Sequence, residues 1–163
     1  MNPSIELRIR TMIRAMSDII IPAIDREAPL AQEQAGLLLG HLQVLLQHEG
    51  REQQIDKIEH AALEQLAQAL LHCCRGGQMT TSAADLIRSL PQDVDTDTLS
   101  HAVESLIIQA GIDGAEDFKR DCDELVLDYA RQETLRSRVW FKSMNFDHSP
   151  ESLGDIESLL NAK

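Results

Sequence analysis

Apolar residues recur every three to four positions along most of the chain, which is the spacing of one buried helix face. The clearest case is the first segment, where such positions run from Ile5 to Ala23. No segment of useful length alternates with the two-residue period of a strand. The sequence therefore predicts an all-α fold, a bundle of five to seven helices. The predicted helices span about residues 3–24, 29–48, 52–75, 82–90, 97–110 and 115–142.

Proline and glycine residues mark the ends of these helices. Pro22 lacks a backbone donor and is expected to kink or end the first helix. Gly50 separates the second helix from the third, and Pro91 stops the fourth. Residues 1–148 are expected to form a single helical domain, and residues 149–163 a short C-terminal helix or a flexible tail.

The second predicted helix is apolar on nearly every face. Its centre, Ala35–Leu42, has the sequence Ala-Gly-Leu-Leu-Leu-Gly-His-Leu. Such a helix is either central in a bundle or covered in part by a second copy of the chain. We therefore expect a homodimer, with Leu38 and Leu42 as candidate interface residues.

A second candidate interface lies at the end of the long sixth helix, where Trp140 and Phe141 stand among cationic residues. Trp and Arg residues dominate protein interfaces when they fill a partner's pocket. In the alternative interpretation, Trp140 and Phe141 close the protein's own core, which is the more frequent arrangement. The cations of this segment are Arg131, Arg136, Arg138 and Lys142.

The formal net charge of −12 is concentrated in the second half of the chain. Residues 85–128 contain twelve acidic and three basic side chains, which gives −9. The negative electrostatic field of this segment repels nucleic acid and anionic lipid, so no nucleic-acid partner is expected. The charge suits either a solvated surface that maintains solubility or a surface that faces a basic partner.

Asp93, Asp95, Asp97 and Glu104 match the ligand spacing of a calcium-binding helix–loop–helix, with acids at positions one, three, five and twelve. Thr98 departs from that pattern, because it occupies the position where glycine makes the sharp turn. The alternative is that Asp95 or Asp97 caps the following helix by accepting from its first N–H groups. We favour the cap, and we retain these residues as weak candidate metal ligands.

Other chemistry-bearing patterns are missing from the sequence. There is no Gly-rich phosphate loop, no Gly-x-Ser-x-Gly turn and no His-Glu-x-x-His pair, so no catalytic residue and no cofactor is predicted. The three cysteines, of which Cys73 and Cys74 are adjacent, do not suggest a disulfide framework. They favour a reducing, cytoplasmic location. The apolar run 19–21 is too short for a membrane span, and none is expected.

The segment Ile5–Gln47 resembles the opening of small bacterial helical proteins of unknown biochemical role. The similarity lies in an amphipathic first helix that ends Ile-Ile-Pro-Ala, a short acidic connection, and an Ala/Leu-rich second helix. Those proteins tend to be encoded beside acyl-CoA dehydrogenases and aminoglycoside-phosphotransferase-like kinases. The resemblance implies a bacterial origin and genetic neighbours, and it implies no reaction.

The function that these observations favour is a non-enzymatic helical accessory or protein-interaction module. Its partner is another protein or a second copy of the chain. One alternative is a helical bundle that holds a small apolar ligand between its helices. A second alternative is an enzyme without a recognisable motif.

Overall fold

A computed structural model of the protein describes residues 2–144 and 147–161. Their regular structure is helical and contains no strand, so the predicted all-α fold of five to seven helices is confirmed. Eight elements are named below, but a π-helical turn, Met16–Ile20, joins the first two into one continuous helix, which leaves seven helices among the described residues. None of the described helices is long and apolar enough to cross a membrane. The elements are α1 (Ile5–Ala15), α2 (Ile21–Ala23), α3 (Pro29–His48), α4 (Glu52–Cys73), α5 (Gln78–Ser89), α6 (Thr96–Asp113), α7 (Glu116–Trp140) and α8 (Ile156–Leu160).

The chain folds into two compact units where the sequence pattern predicted one domain, residues 1–148. One unit consists of Met1–Ile55 and Arg136–Lys163, and we name it the hairpin unit. The other consists of Asp56–Leu135, and we name it the acidic unit. The division falls within α4 and α7. A periodic pattern gives no sign of it, because the apolar spacing continues through both helices.

The hairpin unit is built around α1, α2 and α3. Ser4 caps α1, because its hydroxyl accepts a hydrogen bond from the Leu7 N–H at 3.2 Å. Only a short connection follows α2, so α3 returns antiparallel to α1. The contact between the two helices buries Met16, Ala35 and Leu42.

Pro22 lies in the last turn of the first continuous helix, which ends at Ala23. The sequence predicted a kink or an end at this proline. The π-helical turn stands directly before it. Such a turn carries an additional residue, which moves the preceding carbonyls away from the proline ring.

The C-terminal segment belongs to the hairpin unit. Of the two predicted alternatives, a short helix or a flexible tail, residues 156–160 form the helix α8. Its buried Ile156 and Leu160 contribute to the unit's interior. The Gln54 side-chain amide donates to the Leu160 carbonyl at 2.9 Å. Residues 162–163 of the predicted segment lie outside the described residues.

The acidic unit has the larger hydrophobic interior. Fourteen buried residues from α4, α5, α6 and α7 form one cluster. Leu70, Leu106 and Phe118 have no exposed surface. Close packing of this extent makes the cluster the main source of the unit's stability.

Helix α5 begins at Gln78, four residues before the predicted start. The early start depends on Asp113 at the end of α6. Its carboxylate accepts from the Met79 N–H at 2.8 Å and from the Thr80 N–H at 2.9 Å. A Cβ atom on Gly77 would lie 2.8 Å from Asp113 Cγ, so a larger residue here would displace the carboxylate from these hydrogen bonds.

Candidate interaction surface

The four candidate calcium ligands lie before α6 and in its first half. Asp95 caps α6, because its side chain accepts from the Thr98 N–H at 2.8 Å and from the Thr98 hydroxyl at 2.7 Å. These hydrogen bonds, the backbone one first, hold the pKa of Asp95 below its ordinary value. Asp97 lies in the first turn of α6, where negative charge is favoured by the helix dipole. Asp93 and Glu104 are exposed.

The structure does not assemble these acids into a metal site. Nowhere in residues 2–144 and 147–161 do three or more His, Cys, Asp or Glu side chains form a group that could hold a metal ion. The calcium alternative therefore stays a prediction that gains no support from the positions of these four acids. The cap interpretation, given beside it in the sequence analysis, accounts for the geometry of Asp95.

The cysteines are free thiols, two of them partly buried and Cys122 buried. Burial is the largest cause that raises the pKa of Cys73, Cys74 and Cys122, in the last case to about 11. A raised thiol pKa reduces the thiolate fraction at neutral pH, and the thiolate is the reactive form. The surroundings of these residues favour packing over redox chemistry.

Two of the clefts on the acidic unit border α4. The larger, about 450 Å³, lies between α4 and α7, and its walls include His72, Cys73, Asp121, Glu124 and Asp128. The smaller, about 200 Å³, is lined mainly by apolar side chains of α4, α5 and the connection to α6. Ligand pockets commonly measure about 300–1,000 Å³ and are mostly apolar. The larger cleft is thus too polar for an apolar ligand and the smaller one is too small.

Trp140 contacts its own unit. It is half-buried, and its ring stacks on the ring of the buried His48 with centroids 3.8 Å apart. The His48 Nε2–H donates to the Trp140 carbonyl at 2.8 Å, because a carbonyl oxygen only accepts. Phe141 meets the same His48 ring edge-on at 5.7 Å and remains exposed. Of this candidate pair, Phe141 presents apolar surface to solvent and Trp140 closes a local core.

An ion pair holds the chain after Trp140. Arg138 donates two hydrogen bonds to Asp147, at 2.6 and 3.0 Å. The guanidinium is the largest cause that lowers the Asp147 pKa to about 2. Arg138 is one of the cations that the sequence analysis placed around the candidate interface. In the structure its guanidinium is paired with Asp147 of the same chain.

The two interface candidates on α3 have different environments. Leu42 is buried against α1, in the cluster with Met16 and Ala35. Leu38, one turn earlier, keeps 50% of its surface exposed. Leu38 is therefore available to a partner, whereas Leu42 already packs within the hairpin unit.

Leu38 belongs to a larger apolar surface. Ile5 and Met12 on α1, and Leu45 on α3, are also between 46% and 62% exposed. The two residues on each helix are seven positions apart, which places them on one face, two turns from each other. We name these four residues the apolar strip.

The apolar strip lies on one side of the antiparallel pair. Met12 precedes the buried Met16 by four residues, and Leu38 precedes the buried Leu42 by four; Met16 and Leu42 both belong to the cluster between the two helices. A four-residue step turns about 40° beyond a full helical turn, so both exposed residues are offset from the buried face in the same rotational sense. Because the two helices run in opposite directions, equal offsets bring the exposed residues to the same side of the pair.

Sequence reasoning missed three of the four members of the strip. Ile5 and Met12 were assigned to the apolar stripe of the first helix, and Leu45 was not singled out. The available signal was the repeated seven-residue spacing at positions that border a buried stripe. The spacing alone does not say which side of the stripe a neighbouring helix covers.

Comparisons with known proteins add no relative to this picture. No protein-family model matches the chain, and neither a curated protein nor a solved structure shows significant similarity to it.

Proposed function

We propose that the protein is a non-enzymatic helical interaction module whose contact surface is the apolar strip of the hairpin unit. One observation carries the proposal: Ile5, Met12, Leu38 and Leu45 leave about half of their surface exposed on one side of a helix pair. A contiguous exposed apolar patch of a few hundred Å² commonly marks a protein-binding site. The strip supplies such a patch, and its residues lie on rigid helices.

Burial of the strip's apolar side chains supplies the free energy for binding a partner. Covering a half-exposed Leu, Ile or Met side chain stabilises a complex by roughly 1 kcal/mol, at about 25 cal/mol per Å². Four such side chains contribute a useful share of a micromolar affinity, which corresponds to about −8 kcal/mol. Arg8 and His41 lie beside the strip by their helical positions and supply a polar rim, as interfaces commonly have.

The alternative of an apolar-ligand binder has weaker support. On the acidic unit, the cleft with apolar walls measures about 200 Å³, and the cleft of about 450 Å³ presents three carboxylates. A cleft of about 330 Å³ on the hairpin unit is lined by residues 3–12 of α1 and its N-terminal flank alone, so it does not lie between helices. For the alternative of an enzyme without a recognisable motif, residues 2–144 and 147–161 contain no group of three or more His, Cys, Asp or Glu side chains that could hold a catalytic metal ion. We therefore rank both below the interaction module.

Location and genetic context complete the proposal. A bacterial cytoplasmic protein is supported by the free cysteines and by the resemblance of residues 5–47 to bacterial helical proteins. That resemblance supports genetic neighbours of two kinds, acyl-CoA dehydrogenases and aminoglycoside-phosphotransferase-like kinases. It supplies no reaction for the module to perform.

Site-specific photo-crosslinking in the native host tests the contact surface. Leu38→p-benzoylphenylalanine places the crosslinker on the strip, and Gln43→p-benzoylphenylalanine places it about 140° round the same helix, at another exposed position. We expect a discrete adduct from position 38 and none from position 43. Equal labelling at both positions, or no adduct from position 38, would contradict the proposed function.

A further inference from the structure

We propose that a second copy of this chain covers the apolar strip, in a dimer with twofold symmetry. The inference rests on the proposed function, because it names the partner of the same surface. Three features favour a copy of the chain over an unrelated protein: the repeat of the strip, its area and its charge.

The repeat makes the strip complementary to itself. Ile5 and Met12 stand two turns apart, about 10.5 Å along α1, and Leu38 and Leu45 have the same separation on α3. Equal spacing on two neighbouring helices leaves equal gaps between the side chains. In a twofold dimer the same patch meets itself, so the side chains of one copy fill the gaps of the other.

The area of the strip agrees with what a stable dimer needs. Each of the four half-exposed side chains offers roughly 80–100 Å² of apolar surface, which gives on the order of 300–400 Å² per copy. A standard interface covers about 800 Å² per partner, of which somewhat more than half is apolar, or roughly 450 Å². The strip thus approaches the apolar core of a standard interface, and its polar border supplies the rim.

The charge of the strip permits self-association of an acidic chain. The acidic residues of α1 and of the turn after it lie outside the strip in ion pairs: Glu6 with Arg10 at 2.9 Å and Asp18 with Arg14 at 3.4 Å. Glu33 of α3 is five residues from Leu38, about 140° round the helix.

The net charge of the chain belongs mainly to the other unit. The acidic unit has sixteen acidic against six basic residues, or −10, whereas the hairpin unit has eleven against nine, or −2. A strongly charged partner would find no opposite charge on the strip. A second copy needs none, because the surface it covers is nearly neutral and apolar.

Sedimentation velocity on the purified full-length chain tests the dimer. We expect a dimer at tens of micromolar, and we expect Leu38→Glu to weaken it at least a hundredfold, since the carboxylate would be buried without a partner. Leu86→Glu is the matched control: Leu86 is 49% exposed, belongs to the acidic unit, and the variant adds the same charge. A wild-type monomer at that concentration would overturn the inference, as would a Leu38→Glu variant that dimerises like the wild type.

Two further measurements separate failure of this inference from failure of the proposed function. Leu38→Ala, which removes apolar area without adding charge, is expected to weaken the dimer about tenfold with an unchanged circular dichroism spectrum. In the crosslinking experiment, an adduct of twice the chain mass at position 38 supports the second copy. An adduct of another mass at that position contradicts the second copy and leaves the contact surface itself supported.

Discussion

The two units of this protein divide apolar surface differently. Among the described residues, the acidic unit places fourteen buried hydrophobic residues in one cluster, whereas the hairpin unit buries ten, of which three form the cluster between α1 and α3. Large apolar side chains are exposed in both units, nine in the described part of the hairpin unit and six in the acidic unit. Because apolar burial is the dominant favourable term in folding, we infer that the acidic unit is the more stable of the two.

The charges follow the same division. The unit with the larger core carries almost all of the net negative charge, and the unit with the exposed strip is close to neutral. Net charge keeps a surface solvated and opposes association, whereas neutral apolar surface favours it. This difference in charge agrees with the proposed function, in which the hairpin unit provides the contact surface.

The largest expected effect comes from matched truncations in the two cores. Leu106→Ala removes a side chain with no exposed surface in the acidic unit, and Leu42→Ala removes an 8% exposed one in the hairpin unit. We expect the first to destabilise its unit by about 3–5 kcal/mol and the second by about 2 kcal/mol, because cavity cost rises with the completeness of packing.

Amide hydrogen exchange under native conditions measures these losses unit by unit, which a single melting temperature does not. If Leu42→Ala destabilised its unit as much as Leu106→Ala destabilises the other, the inferred difference in stability between the two units would be wrong. If each variant accelerated exchange only in its own unit, that difference would be supported.

The second-largest expected loss of stability comes from Gly77, where the start of α5 closely approaches the end of α6. Gly77→Ala brings a Cβ atom to 2.8 Å from Asp113 Cγ, so the carboxylate must leave its hydrogen bonds. We expect a loss of about 1–3 kcal/mol in the acidic unit, measured by urea unfolding. Gly111→Ala is the matched control in α6, because nothing lies within 4 Å of its added Cβ, and it should stabilise by about 0.5–1 kcal/mol. Equal effects of the two substitutions would contradict the proposed strain at Gly77.

That contact also explains which parts of the fold the sequence could predict. Helix type and approximate extent follow from local spacing, as the 29–48 prediction for α3 illustrates. The start of α5 does not, because its cap comes from Asp113, more than thirty residues later in the chain. Thr80, two residues before the predicted start at residue 82, is fully buried, and its hydroxyl donates to the Asp113 carboxylate.

The candidate surface was predicted in part for a similar reason. Apolar composition identified α3 as a helix with surplus apolar residues, and Leu38, one of its two interface candidates, is 50% exposed. Composition did not separate Leu38 from the buried Leu42, because both lie in the same apolar run. Which of two neighbouring leucines is covered depends on the direction from which α1 packs, and that direction is set by tertiary structure.

The smallest effect is the pH dependence of the same cap. The Thr80 hydroxyl is the largest cause that holds the pKa of Asp113 below its ordinary value, and the N–H groups of Met79 and Thr80 add to it. A carboxyl whose pKa is lowered by folding contributes stability that is fully present above its unfolded pKa of about 4. That contribution is lost as the pH falls through the lowered value. We therefore expect Asp113→Asn to destabilise the acidic unit at pH 7 and progressively less between pH 5 and pH 2.

Amide exchange of Met79 and Thr80, compared between wild type and Asp113→Asn at pH 6 and by denaturant unfolding at lower pH, measures this difference. The hairpin unit provides the internal control, because its own acid-sensitive contact, Asp147 with Arg138, is left intact by the substitution. The unfolding of the hairpin unit should therefore show the same pH dependence in both proteins. If Asp113→Asn changed the acid response of both units equally, the two units would unfold as one, and the difference in stability inferred from their cores would not exist. If it changed neither, the early start of α5 would have to depend on the glycines and not on the carboxylate.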